Sequence, residues 1–316
     1  MKQADFLRVA AAGLFSLSVS ALAYAEPLAY VPNEGSGTIS IIDTATDKVI
    51  GDMAAGKKPR GLAISGDWLY VSDQPNNSLQ LIDLKTRKLG PTIDLGKSPE
   101  GVYASPDGRW VAAAIEENDA VAIVDTQTNK VESTIQVEGE NPEHAVFSPD
   151  GKTMLVSAED GGALDIIDFA TRKQIAQLKI GDRPRGIGFL PDGSRAYVAA
   201  ENSSEIYVID MVTKKELTHF AGGLRSNGVT VHPDGSRVYV SNGGDASVSV
   251  IDTASNKIIA TVPVGERPWN MAITPDGKKL YVANGRSNSV SVIDTEKNAK
   301  ISDISVGERP WGVVIQ

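Results

Sequence analysis

Seven residues that could bind a ligand or move protons recur at one loop position along the chain. Each follows the last residue of a Gly-x-x-Pro element, in which Ser226 once replaces the proline. The seven are Arg60, Glu100, Glu143, Arg185, Asn227, Trp269 and Trp311, and His144 follows Glu143. Guanidinium groups form fork-shaped hydrogen bonds with anions, and indole rings stack on flat ligands. Carboxylates and an imidazole can transfer protons, and carboxylates also bind hard cations such as Ca²⁺.

The order of these residues predicts a binding face with two unlike arcs. Trp269, Trp311 and Arg60 belong to consecutive repeats and form an aromatic and basic arc, while Glu100 and Glu143 begin an acidic one. A second loop in each repeat adds acidic residues, which are Glu116, Glu117, Asp119, Glu159, Asp160 and Glu201. Because the scaffold repeats and this position does not, we assign the seven residues and His144 to ligand binding. We assign no residue a catalytic role.

The same features permit structural interpretations. Loop positions tolerate random sequence variation, so the unlike residues need not share a function. Both tryptophans could plug a channel or pack on Arg267 and Arg309. Acidic loops are commonly solvated without a metal. The basic residues before the proline are predicted to form a solvated collar that acidic sequence neighbours neutralise; they are Lys58, Arg183, Arg267 and Arg309. Three histidines in different repeats disfavour a transition-metal site, while His144 stays a candidate axial ligand of a haem-like cofactor.

The loops belong to a repeat that is marked by seven aspartates spaced 40 to 43 residues apart. They are Asp43, Asp83, Asp125, Asp168, Asp210, Asp252 and Asp294, and each closes a short apolar run. A period of about 40 residues with strand-like content is typical of a β-propeller with four strands per blade. Each aspartate is predicted to cap backbone N–H groups of the turn that it opens.

Sequence features within one repeat predict the order of its strands from the propeller axis to the outer edge. A Pro-Asp-Gly turn precedes a strand such as Tyr281-Val-Ala-Asn, and a small/apolar strand ends at the aspartate. Lysines five residues after the aspartate, with Pro91 and Pro263, are typical of an exposed edge strand. The chain opens at a second strand (29–33) and stops at a first one (311–316), so both termini should build one blade. The predicted fold is an all-β, seven-bladed propeller over residues 26–316.

Composition limits the remaining possibilities. Lys2, Arg8, an apolar stretch and Ala23-Tyr24-Ala25 predict a signal peptide over residues 1–25, cleaved near Ala25, and hence a periplasmic protein without a membrane span. The absence of cysteine excludes disulfides, thiolate chemistry and covalent haem attachment. A net charge of −9 argues against nucleic-acid and anionic-membrane partners.

Four segments carry a resemblance to a known repeat. Tyr-Val-Pro-Asn (30–33), Tyr-Val-Ser-Asp (70–73), Tyr-Val-Ser-Asn (239–242) and Tyr-Val-Ala-Asn (281–284) are similar to the YVTN-family β-propeller repeat. The third and fourth repeats depart from it. In length and repeat number the chain most resembles the PQQ-dependent catabolism-associated β-propeller proteins. That resemblance implies a periplasmic setting linked to quinoprotein alcohol oxidation, and it implies no activity.

We interpret the sequence as a non-enzymatic, monomeric binding or accessory propeller. Its face would bind a small molecule or a periplasmic protein of PQQ-dependent alcohol catabolism. One alternative is a lactonase-like hydrolase that uses a divalent cation held by the acidic arc. Others are a carrier of haem or quinone and a binder of single-stranded nucleic acid, which Trp269 and Trp311 would support by stacking.

Overall fold

The computed structural model describes residues 27–316, which form seven four-stranded antiparallel sheets. This confirms the predicted seven-bladed propeller. Six blades use consecutive strands, and blade 1 combines the C-terminal strand with the first three strands of the chain, so that Tyr30 pairs with Val314. The predicted signal peptide falls on residues outside the described range and stays a prediction. Within residues 27–316, no helix is long and apolar enough to cross a membrane.

Each blade runs from an axial strand to an outer strand. In order from blade 1 to blade 7, the axial strands are β28 (Val314–Ile315), β4 (Pro59–Ser65), β8 (Pro99–Ala104), β12 (Pro142–Phe147), β16 (Pro184–Phe189), β20 (Ser226–Val231) and β24 (Pro268–Ile273). In the same order, the second strands are β1 (Leu28–Asn33), β5 (Trp68–Asp73), β9 (Trp110–Ile115), β13 (Thr153–Ala158), β17 (Arg195–Ala200), β21 (Arg237–Asn242) and β25 (Lys279–Asn284).

The outer half of each blade follows the same order. The third strands are β2 (Thr38–Asp43), β6 (Ser78–Asp83), β10 (Ala120–Asp125), β14 (Ala163–Asp168), β18 (Glu205–Asp210), β22 (Ser247–Asp252) and β26 (Ser289–Asp294). The edge strands are β3 (Lys48–Ala54), β7 (Lys88–Asp94), β11 (Lys130–Gln136), β15 (Lys173–Lys179), β19 (Lys215–Ala221), β23 (Lys257–Pro263) and β27 (Ala299–Ser305). Two short 3₁₀ helices, Gln74–Asn76 and Glu116–Asn118, follow β5 and β9.

The recurring aspartates cap the following turn as predicted, because their carboxylates accept hydrogen bonds from its backbone N–H groups. Asp83 Oδ1, for example, accepts the N–H groups of Lys85 at 2.9 Å and Thr86 at 2.8 Å. The Asn of the Tyr-Val-x-Asn segment has a comparable role inside the blade. Asn284 Nδ2 donates to two buried serine hydroxyls of the third strand, at 3.1 and 2.9 Å. These contacts stay within one blade, so they stabilise each repeat locally.

The hydrophobic core lies between neighbouring blades, not inside any one of them. Tyr70 and Leu81 of blade 2, for example, share a buried cluster with Val111 and Ala113 of blade 3. Near the axis the packing is tighter still. A Cβ on Gly61 would lie 2.3 Å from the Glu100 carbonyl oxygen of the next blade, so only glycine permits this approach. The axial strands thereby contact one another in a closed ring and bring their first residues to one opening.

Candidate functional site

Three equivalent positions of each blade, at or next to strand ends, meet at one end of the axis. The first ring holds the second residue of the axial strands and its blade 1 equivalent, which are Trp311, Arg60, Glu100, Glu143, Arg185, Asn227 and Trp269. The second ring holds the residue after each second strand, which is Glu34, Gln74, Glu116, Glu159, Glu201, Gly243 and Gly285. The third ring precedes the axial proline or serine and holds Arg309, Lys58, Ser98, Asn141, Arg183, Arg225 and Arg267.

These rings enclose a polar cavity of about 230 Å³, which we call the mouth cavity. Six of the seven first-ring residues line it, as the repeat analysis expected. The lining consists of Arg60, Gln74, Glu116, Glu143, Glu159, Arg183, Arg185, Asn227, Arg267, Trp269, Asn270 and Trp311. Below it lies a smaller channel of about 90 Å³, which Arg60, Tyr103, Asn270 and Trp311 help to line.

Two of the predicted ligand-binding residues lie beneath the cavity instead of lining it. Glu100 is 1% exposed, and its Oε1 accepts hydrogen bonds from Arg60 and from Gln74 Nε2. His144 is fully buried, with Nδ1 at 2.7 Å from the Tyr103 hydroxyl and its ring 5.8 Å from that of Trp311. Burial lowers the pKa of His144 to about 4, so its imidazole is neutral at physiological pH.

Glu201 is the centre of the basic side of the cavity. Its carboxylate is 0% exposed and contacts the guanidinium groups of four arginines. Arg185 and Arg225 lie at 3.0 Å and Arg267 at 2.6 Å, while Arg183 is more distant at 3.7 Å. Burial opposes ionisation of Glu201, but Arg185 and then Arg267 outweigh it and lower its pKa. One buried anion therefore organises four cations.

The predicted collar of self-neutralised basic residues is wrong for Arg183 and Arg267. Arg183 pairs with Glu159 at 3.0 Å and with Glu201, and Arg267 is largely buried against Glu201. Their acidic sequence neighbours, Asp182 and Glu266, form no ion pair among residues 27–316. A buried carboxylate is stable only when it is paired, whereas an exposed one is solvated by water. The arginines therefore pair with the buried carboxylates of the second ring and not with their exposed sequence neighbours.

The acidic side of the cavity combines Glu100, Glu116, Glu143 and Glu159. Burial and then the Glu143 carboxylate raise the pKa values of Glu100 and Glu159 to about 8. Burial would also raise the pKa of Glu143, but the Arg185 guanidinium outweighs it and lowers that pKa. Glu143 thus holds the negative charge of the group, and its neighbours tend to retain protons.

The two tryptophans differ in their surroundings. Trp311 is 8% exposed and packs near His144 at the junction of the mouth cavity and the channel, which supports the plugging interpretation for this residue. Trp269 is half-buried and lies over the backbone of Gly285, where a Cβ would be 2.9 Å from its Cε3 atom. The Arg267 guanidinium is 6.0 Å from the Trp269 ring centre. Glycine in the second ring of blade 7 therefore makes room for an indole at the mouth.

Sequence reasoning singled out Glu116, Glu159 and Glu201 but missed their counterparts Glu34 and Gln74. Glu34 contacts Lys58 and Arg60, each at 3.4 Å, and Gln74 donates to Glu100. The available signal was their position, one residue after a Tyr-Val strand, which is shared by the whole second ring. Exposed Glu117 and Asp160 and half-buried Asp119 do not line the cavity.

Comparison with known proteins supports the architecture. A family model described as "Lactonase, 7-bladed beta-propeller" matches residues 167–306. No curated protein matches the chain. Among solved structures, a putative 6-phosphogluconolactonase from Bacteroides uniformis is 19% identical, with a TM-score of 0.77, and the match covers 92% of this chain and 100% of that one.

Two further solved structures have the same shape. A putative 6-phosphogluconolactonase from Bacteroides fragilis is 19% identical, with a TM-score of 0.76, covering 94% of this chain and 99% of that one. Hydrazine synthase from Kuenenia stuttgartiensis is 22% identical, with a TM-score of 0.78, covering 90% of this chain and 99% of that one. At these identities the similarity shows a common fold, and it carries no activity from one protein to another.

Proposed function

We propose that the protein is a lactonase-type hydrolase whose substrate is a small lactone with a carboxylate or phosphate group. The observation that carries this proposal is the mouth cavity itself, in which a carboxylate and several guanidinium groups line the same wall. Glu159 lies between Arg183, at 3.0 Å, and Arg185, at 2.7 Å. The indole of Trp269 lines the same cavity.

This arrangement can assist the hydrolysis of a cyclic ester. Above its raised pKa of about 8 Glu159 is ionised, and it would then accept a proton from water as that water attacks the lactone carbonyl carbon. Arg185 would stabilise the negative charge that develops on the carbonyl oxygen. The ring C–O bond then breaks, and the leaving alkoxide takes the proton from Glu159 to give a hydroxy acid. Arg183 and Arg267 remain to bind the anionic substituent of the substrate.

The comparisons support the reaction class, because a lactonase family model matches part of the chain and two putative 6-phosphogluconolactonases share its fold. They favour this interpretation over the binding role in PQQ-dependent catabolism that the repeat resemblance implies. The preference for an anionic substrate rests on the arginines alone. Four arginines around Glu201 leave more positive than negative charge on that wall, which suits a ligand that brings its own negative charge.

The test measures acid release by pH-stat from matched lactones that do or do not carry a carboxylate or phosphate. We expect hydrolysis of the charged lactones, and a fall in kcat of about 10²-fold or more in Glu159→Gln, in line with the loss of a general base. Glu140→Gln is the matched control, because Glu140 is exposed and lies outside the cavity. No hydrolysis of any lactone, or equal rates in Glu159→Gln and wild type, would overturn the proposal. Binding of a lactone without turnover would instead support a binding protein.

We also propose that the protein acts in the periplasm after removal of residues 1–25. The basic start, the apolar stretch and Ala23-Tyr24-Ala25 motivate this proposal. N-terminal sequencing of the protein from a periplasmic extract should begin near Glu26. Recovery of the protein in the cytoplasm with Met1 intact would contradict it.

A further inference from the structure

Three carboxylates of blades 3 and 4 converge at the edge of the mouth cavity. Glu100 and Glu143 belong to the first ring, and Glu116 begins the 3₁₀ helix after β9. Each offers one carboxylate oxygen, and these three atoms lie within 4.8 Å of one another. Like charges at such spacing repel strongly unless something positive is shared between them.

The hydrogen bonds of this cluster leave acceptors unused. Oε1 of Glu100 accepts Arg60 and Gln74, but its Oε2 is buried and has no hydrogen-bond partner. A buried acceptor without a partner is destabilising, so this oxygen points to a missing ligand. Glu116 accepts the Ser98 hydroxyl at 2.6 Å, and Glu143 accepts Arg185 and also contacts the Glu159 carboxyl group. Oε2 of Glu100 is therefore the clearest available acceptor of the cluster.

The two arginines next to the cluster also pair with carboxylates outside it. Arg60 is shared with Glu34, whose carboxylate lies 3.4 Å from Arg60 Nε. Arg185 is shared with Glu159 and Glu201. Neither arginine therefore serves this cluster alone.

The spacing and chemistry fit a hard divalent cation. Ca²⁺ binds oxygen ligands at about 2.3–2.6 Å, so two ligands on opposite sides of one ion are roughly 4.6–5.2 Å apart. The three oxygens fall inside that limit. Carboxylate donors select Ca²⁺, Mg²⁺ or Mn²⁺ over softer metals, and Ca²⁺ tolerates irregular geometry better than Mg²⁺. Glu116 and Glu143 border the mouth cavity, which offers space for water ligands.

We propose that Glu100, Glu116 and Glu143 form a calcium-binding site at the acidic edge of the mouth cavity. The site adjoins the Glu159 and Arg185 pair to which hydrolysis is assigned, because Glu143 accepts a hydrogen bond from Arg185. Its occupancy is measured without any lactone, so failure of the hydrolase proposal and failure of this one are separate results.

Isothermal titration calorimetry of the EDTA-treated full-length protein with CaCl₂ tests the proposal. We expect one site per chain, with a Kd no weaker than the 10⁻⁴–10⁻³ M range that is typical of modest calcium sites. Glu116→Gln should weaken binding by about 10-fold or more, because it removes one charged ligand while Ser98 can still donate to the amide oxygen. Glu117→Gln is the matched control, since Glu117 is its exposed neighbour in the same 3₁₀ helix.

A thermal-shift titration of the same proteins provides an independent readout. Calcium should raise the melting temperature of wild type and Glu117→Gln, and it should raise that of Glu116→Gln much less. Glu100→Gln is informative where it folds, and Glu116→Gln serves if it does not, because Glu116 is less buried. Absence of calcium binding in wild type, or equal binding by wild type and Glu116→Gln, would overturn the proposal.

Discussion

Replacement of Glu201 by glutamine should destabilise the propeller strongly. The carboxylate of Glu201 is 0% exposed and pairs with four guanidinium groups, three of them within 3.0 Å. Removing one partner of a buried ion pair costs about 3–5 kcal/mol, because the remaining charge stays buried without compensation. Arg185 and Arg267 are themselves largely buried, so they cannot simply turn to water.

The expected change in melting temperature follows from the size of the domain. Unfolding entropy near 60 °C is about 2.1 cal/mol/K per residue, so the roughly 290 described residues give about 0.6 kcal/mol/K. A loss of 3–5 kcal/mol therefore lowers the melting temperature by about 5–8 °C. Differential scanning fluorimetry at neutral pH measures this directly. The exposed carboxylate of Glu266 forms no ion pair among residues 27–316, so Glu266→Gln should change stability by less than about 0.5 kcal/mol.

The contribution of Glu201 to folding stability should also decrease at low pH. Its pKa is lowered in the folded protein, so its contribution is fully present above the unfolded value of about 4.3 and is lost as the pH falls below it. The difference between wild type and Glu201→Gln should thus narrow under acid conditions. A variant that melts within about 1 °C of wild type at neutral pH, or a difference that widens in acid, would refute the reasoning.

Two further predictions concern contacts between blades and at the mouth. Tyr70→Phe should cost about 1 kcal/mol in urea denaturation, because the hydroxyl donates to Asn129 Oδ1 of the next blade at 2.7 Å. Tyr30→Phe is the control and should leave the free energy of unfolding nearly unchanged, since its hydroxyl makes no hydrogen bond within the described residues. Equal losses of stability in the two variants would contradict the role assigned to the Tyr70 hydroxyl. Gly285→Ala should cost about 1–3 kcal/mol and shift the tryptophan emission, because the new Cβ would meet Trp269. An unchanged emission spectrum would argue against that contact.

The first ring could be predicted from the sequence because its members occupy the same position in every repeat. Once the repeat was aligned, pseudo-sevenfold symmetry had to bring equivalent residues to one opening. Six of the seven line the mouth cavity. Glu100 does not, and its burial depends on the side chains of Arg60 and Gln74 from the preceding blade. No repeat pattern contains that information.

The second ring shows the limit of the same reasoning. Glu159 and Glu201 stood out in the sequence as acidic loop residues, but so did Asp160, which lies outside the cavity. Their equivalence with Glu34 becomes visible only when the ends of the second strands are known. The role of Gly285 depends equally on the neighbouring tryptophan, since glycine alone carries no sign of what packs against it.

The sequence by itself determined the scaffold: the number of blades, the order of strands, the turns at the aspartates and the closure by both termini. These features depend on local hydrogen bonds and on a regular apolar pattern, which are written in adjacent residues. Only the tertiary structure decided the electrostatic partners, such as Arg267 and Glu201, which are 66 residues apart. Coulomb and desolvation energies depend on distance and burial in space, so the pairing and protonation of the mouth residues emerge only after the ring has closed.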